Sequence, residues 1–248
     1  VSEWSDHQLM FVQAVYNAQQ LRYDPLEYDL LRDSMIRIQE YVDVTSEAIQ
    51  DLVDADVIRH DTDHPHRLYS VTPAGRSVIG ESYRQGVDYG HGVGDLEESS
   101  EHVIAVEVGR QYLEAEYVDN PDSLVTQVIP YFELDDQHRL DIAGLDDDEN
   151  IIVALEAERI NNDVSRAVPE DFDKMAACDL EEAIWVVMKQ ADGHAVLEAL
   201  NDPPEGPRRV EKTYAKTTPP QQFRIDTPGL TAVYPAEWLR DRMDESDE

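Results

Sequence analysis

The chain has 248 residues, of which 41% are hydrophobic, and its 54 acidic against 20 basic residues give a formal net charge of −34. This apolar share can form the core of one large domain or two small ones, which excludes a disordered protein. The single cysteine, Cys178, excludes an internal disulfide and a cysteine-based zinc site. The sequence shows neither an apolar run of membrane-spanning length nor a signal peptide, so we expect a cytoplasmic protein without a membrane partner.

The excess of carboxylates bears on the solvent in which the protein folds. Repulsion between so many like charges is strongly screened in molar salt, where the Debye length falls to about 3 Å. The composition resembles that of proteins from extreme halophiles, which implies a haloarchaeon, or a virus or plasmid of one, as the source. Acidity of this kind is an adaptation to solvent, and it also lets acidic motifs arise by chance.

The first part of the chain is predicted to consist of helices followed by a hairpin. Helical spacing of apolar residues indicates a helix over residues 5–20 and a helical region over 25–42 that could be broken near Asp33 and Ser34. Thr45 or Ser46 can cap a further helix that runs to Val53. Two short strands then surround a turn at residues 61–66. The sequence Thr-Pro-Ala-Gly-Arg from Thr72 onwards opens another helix, with proline in its first turn.

This order of elements resembles the winged helix-turn-helix family over residues 5–85. The resemblance implies an N-terminal domain of residues 1–85, with a recognition helix at 45–53 and a wing at 60–69. The recognition helix carries Glu47 and Asp51 but no lysine or arginine, so it lacks the usual contacts to phosphate and guanine.

Basic groups of the predicted domain lie in the wing instead. We assign DNA contacts to Arg59, His60 and Arg67, while homodimerisation or docking to a partner protein stays open as the role of the whole domain. The histidines His60, His64 and His66 could also hold zinc, but a fourth ligand is not evident nearby and exposed loop histidines are common.

A glycine-rich linker is predicted at residues 86–95, followed by a second domain at 96–201. This domain begins with an amphipathic helix over 99–117, in which Glu107 is roughly level with the inner face, and a strand over 126–132.

The next stretch, residues 138–159, reads as a β-hairpin with an acidic turn. Asp141 lies on its first strand, and Glu156 and Glu158 share one face of the second because side chains alternate along a strand. The hairpin could bring the three carboxylates together, which is the outline of a divalent-metal site. Glu156 also follows Ile152 and Ala154 on that face, where a buried carboxylate without a cation would be costly.

A helix over 169–178, a strongly apolar strand over 183–188 with Trp185 in the core, and a helix over 193–200 complete this domain. The order is αβββαβα, which predicts a mixed sheet with helices on its faces. The fold class is therefore α/β, or α+β for the chain as a whole.

This element order, together with the carboxylates, resembles the PD-(D/E)xK, or restriction-endonuclease-like, superfamily of nucleases over residues 96–201. The resemblance implies that Asp141 is the metal-bridging aspartate, Glu156 the second acidic ligand, and Glu107 the helix acid that some members use as a further metal ligand. Glu158 stands where the family usually has lysine. The implied reaction is hydrolysis of a phosphodiester with Mg²⁺ or Mn²⁺, held by Asp141, Glu156 and the carbonyl of Ala157.

Two features of the motif depart from the family. Leu140 replaces a loosely held proline, and Glu158 removes the ammonium that would orient water, although it could accept a proton or hold a second metal. In so acidic a chain, the carboxylates could also be an accidental part of a solvated surface. Arg159 and Arg166 are expected to form exposed ion pairs rather than phosphate contacts.

The remainder, residues 202–248, begins with a proline-rich segment in which Arg208 and Arg209 could contact nucleic acid or belong to a tether. A short strand over 230–234, a helix over 235–243 and an acidic tail follow.

Two functions remain open at this point. The first is a Mg²⁺-dependent DNA endonuclease, exonuclease or junction-resolvase-like enzyme. The second is a non-catalytic DNA-binding regulator, or a virion or complex component, that uses both domains as interaction surfaces. The second alternative would allow a location in the virion.

Overall fold

The computed structural model describes residues 3–24, 26–81, 98–135, 138–159 and 163–246. These residues form two compact units, the first with residues up to 81 and 98–104, the second with residues from 105 onwards. The predicted linker at 86–95 lies outside the described residues. Among the helices that are described, each is too short or too polar to traverse a lipid bilayer.

The first unit contains the predicted order of helices and hairpin. Its elements are α1 (Asp6–Gln19), α2 (Ile36–Val42), α3 (Ser46–Asp54), β1 (Ile58–Thr62), β2 (Leu68–Val71) and α4 (Pro73–Ile79). Side chains of Ser5, Thr45 and Thr72 cap α1, α3 and α4 by accepting backbone N–H groups. Strands β1 and β2 pair antiparallel.

Of the helical region predicted over 25–42, the part before the possible break at Asp33 and Ser34 is wrong, because only Ile36–Val42 is helical. Aspartates in the preceding stretch bond to the backbone instead: Asp29 Oδ1 accepts the N–H of Leu31 at 3.0 Å, and Asp33 Oδ2 accepts the N–H of Asp29 at 2.9 Å. Such local hydrogen bonds compete with a helix for the same donors.

The second unit is built on a mixed sheet of strands β3 (Gln127–Glu133), β4 (Arg139–Leu145), β5 (Ile151–Glu158), β6 (Glu182–Val187) and β7 (Ala232–Pro235), in that spatial order. β3, β4 and β5 are antiparallel neighbours, whereas β5, β6 and β7 run parallel. The helices are α5 (Ser100–Leu113), α6 (Val164–Ala176), α7 (Gln190–Asn201) and α8 (Ala236–Ser246). The predicted αβββαβα order is thus confirmed, and the C-terminal segment adds a fifth strand.

Two helix boundaries differ from the prediction. The helix expected over 99–117 is α-helical only to Leu113, after which Glu114–Val118 form a wider π-helical turn. The helix expected from Pro169 begins at Val164, so the proline lies in its second turn. Pro169 is buried there, and packing compensates for the backbone hydrogen bond that a proline cannot donate.

The two faces of the sheet are covered by different helices. On one face α5 approaches closely at Gly109, where an added Cβ would lie 2.9 Å from Leu155 Cδ1 and 3.1 Å from Ile142 Cδ1. The other face packs against α6 and α7 in a core that includes Ala154 and the fully buried Trp185. Since side chains alternate along β5, Glu156 belongs to the face covered by α6.

Candidate active site on the mixed sheet

Strand register brings Asp141 and Glu156 together. Ile142 pairs with Leu155 across β4 and β5, so Asp141 and Glu156, one step further along, are neighbours on the same face. The N–H of Ala157 donates a hydrogen bond of 2.8 Å to Asp141 Oδ2, which fixes this carboxylate against β5. Two of the carboxylates predicted to converge are therefore adjacent.

A cation that the sequence did not indicate lies beside them. The Lys174 ammonium, on α6, is 2.9 Å from Glu156 Oε1 and 2.7 Å from Asp171 Oδ1. Glu156 is 4% exposed, and the Lys174 side chain is 11% exposed. The helix thus supplies an ammonium to the face of β5 that carries Glu156.

Burial sets the electrostatics of this cluster. It raises the pKa of Glu156 well above its ordinary value, the nearby charge of Asp141 raises it further, and Lys174 counteracts both. Burial also raises the pKa of Asp171, against the opposing charge of Lys174. The pKa of Lys174 is raised: burial alone would lower it, but the two carboxylates outweigh burial, so the ammonium stays protonated.

The raised pKa of Glu156 predicts a pH dependence of folding stability. Between the ordinary pKa of 4.5 and the higher folded value, the folded state binds more protons than the unfolded state. The stabilisation is complete below pH 4.5 and is lost as the pH rises through the folded pKa. Denaturant unfolding of wild type and Glu156→Gln across this range should show wild-type stability declining relative to the variant. If the unfolding free energy of wild type minus that of the variant stayed constant or rose with pH, the placement of Glu156 would be contradicted.

The remaining predicted acids are placed differently. Glu158 shares the face of Glu156 and is partly exposed at the end of β5. Glu107 lies on α5, over the opposite face, where it accepts hydrogen bonds of 2.8 and 2.9 Å from Arg110 and one of 2.7 Å from Gln111. Within the described part of the chain, no three histidine, cysteine, aspartate or glutamate residues group as metal ligands. The structure therefore brings Asp141 and Glu156 together with Lys174 and Asp171, and not with Glu107.

A cavity of about 930 Å³ opens beside the cluster. Lys174 and Asp171 line it from α6, and Arg139 lines it from β4. A volume of this size lies at the upper end of those typical for small-ligand sites. Lys174 and Asp171 therefore border the cavity, whereas Asp141 and Glu156 are not among its lining residues.

The predicted nucleic-acid contacts of the wing are paired with acids. Arg59 Nε lies 3.1 Å from Asp61 Oδ1, and Arg67 Nε lies 2.7 Å from Asp63 Oδ1. His60 Nε2 is 3.3 Å from the same oxygen of Asp63. The three histidines of this region do not form a metal-binding group within the described residues.

The two arginines of the C-terminal segment also have protein partners. Arg209 donates hydrogen bonds of 3.1 and 2.7 Å to Asp173, on α6, and its side chain is only 12% exposed. Arg208 donates to the carbonyl of Asn201 at 2.8 Å. This segment is therefore packed against the second unit, where Val210 is buried as well.

Comparison with known proteins does not add a family to this description. The chain gives no significant match to a protein-family model, a curated protein or a solved structure.

Proposed function

We propose that the second unit is a metal-dependent phosphodiesterase that cleaves DNA, with a restriction-endonuclease-like fold. The observation that carries this proposal is the meeting of Asp141, Glu156 and Lys174 on one face of the mixed sheet, beside an open cavity. Two adjacent carboxylates can hold a metal ion and an ammonium can stabilise charge on a phosphate, so this set of groups can serve metal-assisted phosphodiester hydrolysis. The αβββαβα order of the unit supports the same assignment.

The donor set fits a magnesium ion. Mg²⁺ is bound in proteins by one or two carboxylates, with water and substrate phosphate completing the shell, so Asp141 and Glu156 suffice. Glu156 Oε1 is buried, and the Lys174 ammonium lies 2.9 Å from it. When bound, Mg²⁺ would polarise the scissile phosphate and lower the pKa of the attacking water.

The protein's own groups have distinct roles in this proposal. Lys174 places a positive charge toward the cavity, where it can stabilise the negative charge that develops on the phosphate. Asp171 and Glu156 hold that ammonium in position. In this proposal, Glu158 at the partly exposed end of β5 would accept the proton of the attacking water. Lys174 thus compensates for the lysine that the β5 motif lacks.

Cleavage assays test the proposal. Linear duplex, branched and single-stranded DNA should be incubated with the protein in molar KCl, with Mg²⁺, with Mn²⁺, or with a chelator. We expect at least one of these substrates to be cleaved, and we expect this cleavage to require the metal. If no substrate is cleaved and calorimetry detects no binding of either metal, the proposal is wrong.

A second candidate function is supported by the surface of the first unit. The exposed face of α3 carries Glu47, Asp51 and Asp54 without a cation, and the wing arginines are paired with aspartates. These features favour a non-catalytic regulator or complex component whose first unit binds a protein rather than DNA. This alternative does not explain the ammonium buried between carboxylates in the second unit.

The charge pairing of the wing gives a prediction of its own. Replacing Arg59 and Arg67 together with glutamine should change DNA affinity by less than about fivefold in molar KCl, because exposed ion pairs of this kind contribute little and are screened. Fluorescence anisotropy with labelled duplex DNA measures the change. A larger loss, absent when the exposed Lys216 is replaced with glutamine, would instead establish the wing as the DNA contact.

A further inference from the structure

Arg139 lies on β4 close to the proposed active site. It precedes Asp141 by two residues on β4, so the two side chains share a face about 6.8 Å apart along the strand. This separation is comparable to that between adjacent phosphates on one strand of nucleic acid. Arg139 also lines the same cavity as Lys174.

The ring of Tyr131 holds the guanidinium of Arg139. The Cζ atom of Arg139 lies 5.0 Å from the centre of the Tyr131 ring, a cation–π distance. Tyr131 is 3% exposed, so its ring is fixed by the surrounding core. A planar guanidinium stacked on a fixed ring loses little further freedom when it binds an anion at its edge.

The backbone at Tyr131 is unusual at the position that faces Asp141. The register pairs Pro130 with Ile142 and Phe132 with Leu140, which places Tyr131 opposite Asp141. Its φ of +54° is in the left-handed region, which an aromatic residue rarely adopts. Strained backbone of this kind is found preferentially at functional sites, and here it lies opposite Asp141, at the residue whose ring contacts Arg139.

Three of the four carboxylates among the described residues of the cavity wall have a cationic partner, so they oppose an anion less strongly than their number suggests. The pairs are Glu170 with Arg166, Asp171 with Lys174, and Asp173 with Arg209. Lys174 is shared with Glu156, so Arg139 is the cation of the lining on which phosphate binding chiefly depends.

We propose that Arg139, positioned by the ring of Tyr131, binds the phosphate next to the scissile one in a DNA strand. The inference rests on the proposed nuclease function and adds a substrate-binding residue to it. Arg139 would act as a bidentate phosphate ligand, and Tyr131 as its positioning residue. The nucleotides on one side of the cleavage position would then contribute to binding through their backbone.

The test combines an arginine variant with DNA that lacks one charge. Binding of duplexes that each carry a single neutral methylphosphonate, at successive positions, is measured in molar KCl with Ca²⁺ in place of Mg²⁺. For wild type we expect one position at which affinity falls roughly tenfold to a hundredfold, the range for hydrogen bonds to charged groups. Arg139→Gln should bind unmodified DNA more weakly than wild type by the same factor, and a methylphosphonate at that position should cause no further loss of its affinity.

Control variants separate phosphate binding from a structural role. Arg139→Lys should recover part of the affinity, and Tyr131→Phe, which keeps the ring, should resemble wild type. Arg37→Gln removes an exposed arginine of the first unit that is paired with Asp33, and it should leave affinity unchanged. Thermal unfolding of each variant confirms that it is folded.

The outcomes distinguish the two proposals. Equal sensitivity of wild type and Arg139→Gln to every methylphosphonate would overturn the role of Arg139, even if wild type cleaves DNA. If wild type lost affinity at one methylphosphonate position, Arg139→Gln lost none there, and DNA was not cleaved in Mg²⁺, the role of Arg139 would be supported and the nuclease activity refuted. A wild-type protein that neither binds nor cleaves DNA would refute both.

Discussion

Replacing Asp141 with asparagine is expected to lower the rate of Mg²⁺-dependent DNA cleavage by roughly a hundredfold to a thousandfold. The variant keeps the shape of the side chain but removes one of the two carboxylate charges that would hold the metal, whose charge stabilisation is worth several kcal/mol. Single-turnover cleavage at saturating protein measures the loss. Calorimetry should show a parallel weakening of Mg²⁺ binding.

A matched control lies in the same hairpin. Asp147 is an exposed aspartate of the turn between β4 and β5, and Asp147→Asn removes the same charge without touching the cluster. We expect its cleavage rate to equal that of wild type. Equal rates for wild type, Asp141→Asn and Asp147→Asn would show that the β4 carboxylate does not take part in the reaction.

Replacing Lys174 with methionine should cost about 3–5 kcal/mol of unfolding free energy, because it leaves the buried Glu156 without its counter-charge. The side chains are 11% and 6% exposed, so solvent screens the pair little. Adding Glu156→Leu to this variant should recover much of the stability, since a buried ion pair can often be replaced by apolar groups. Cleavage should be lost in both variants.

The exposed pair of Lys216 and Glu198 provides the comparison. Their side chains are 72% and 73% exposed, and Lys216→Met should change the unfolding free energy by less than about 1 kcal/mol. Urea unfolding in molar KCl measures all the variants under one condition. If Lys174→Met were as stable as Lys216→Met, the ion pair would not contribute as its burial implies.

The hairpin can be predicted from the sequence because the features that determine a hairpin are local. Alternation along β5 places Glu156 and Glu158 on one face, and the short acidic turn sets the register that brings Asp141 to Glu156. The apolar runs and caps likewise determine the element order of both units. Aspartates at positions 29 and 33 misled the helix prediction because the periodicity of apolar residues does not report their bonds to the backbone.

Lys174 was not predictable in the same way. It is distant from Glu156 in sequence, and helical spacing does not reveal which face of a sheet a helix will cover. One signal was available: the chain has only four lysines, and this one lies between Phe172 and Met175 on the buried side of α6. The same uncertainty about faces explains why Glu107 was assigned to the site, although α5 covers the opposite side of the sheet.

The central claim is that Asp141, Glu156 and Lys174 form the active site of a DNA-cleaving enzyme. Its most direct test is single-turnover cleavage in molar KCl and Mg²⁺ by wild type and by Glu156→Gln, purified in parallel. We predict metal-dependent cleavage by wild type and background cleavage by the variant, with the variant still folded. Equal cleavage by both proteins, or none by wild type under any metal condition, would contradict the claim.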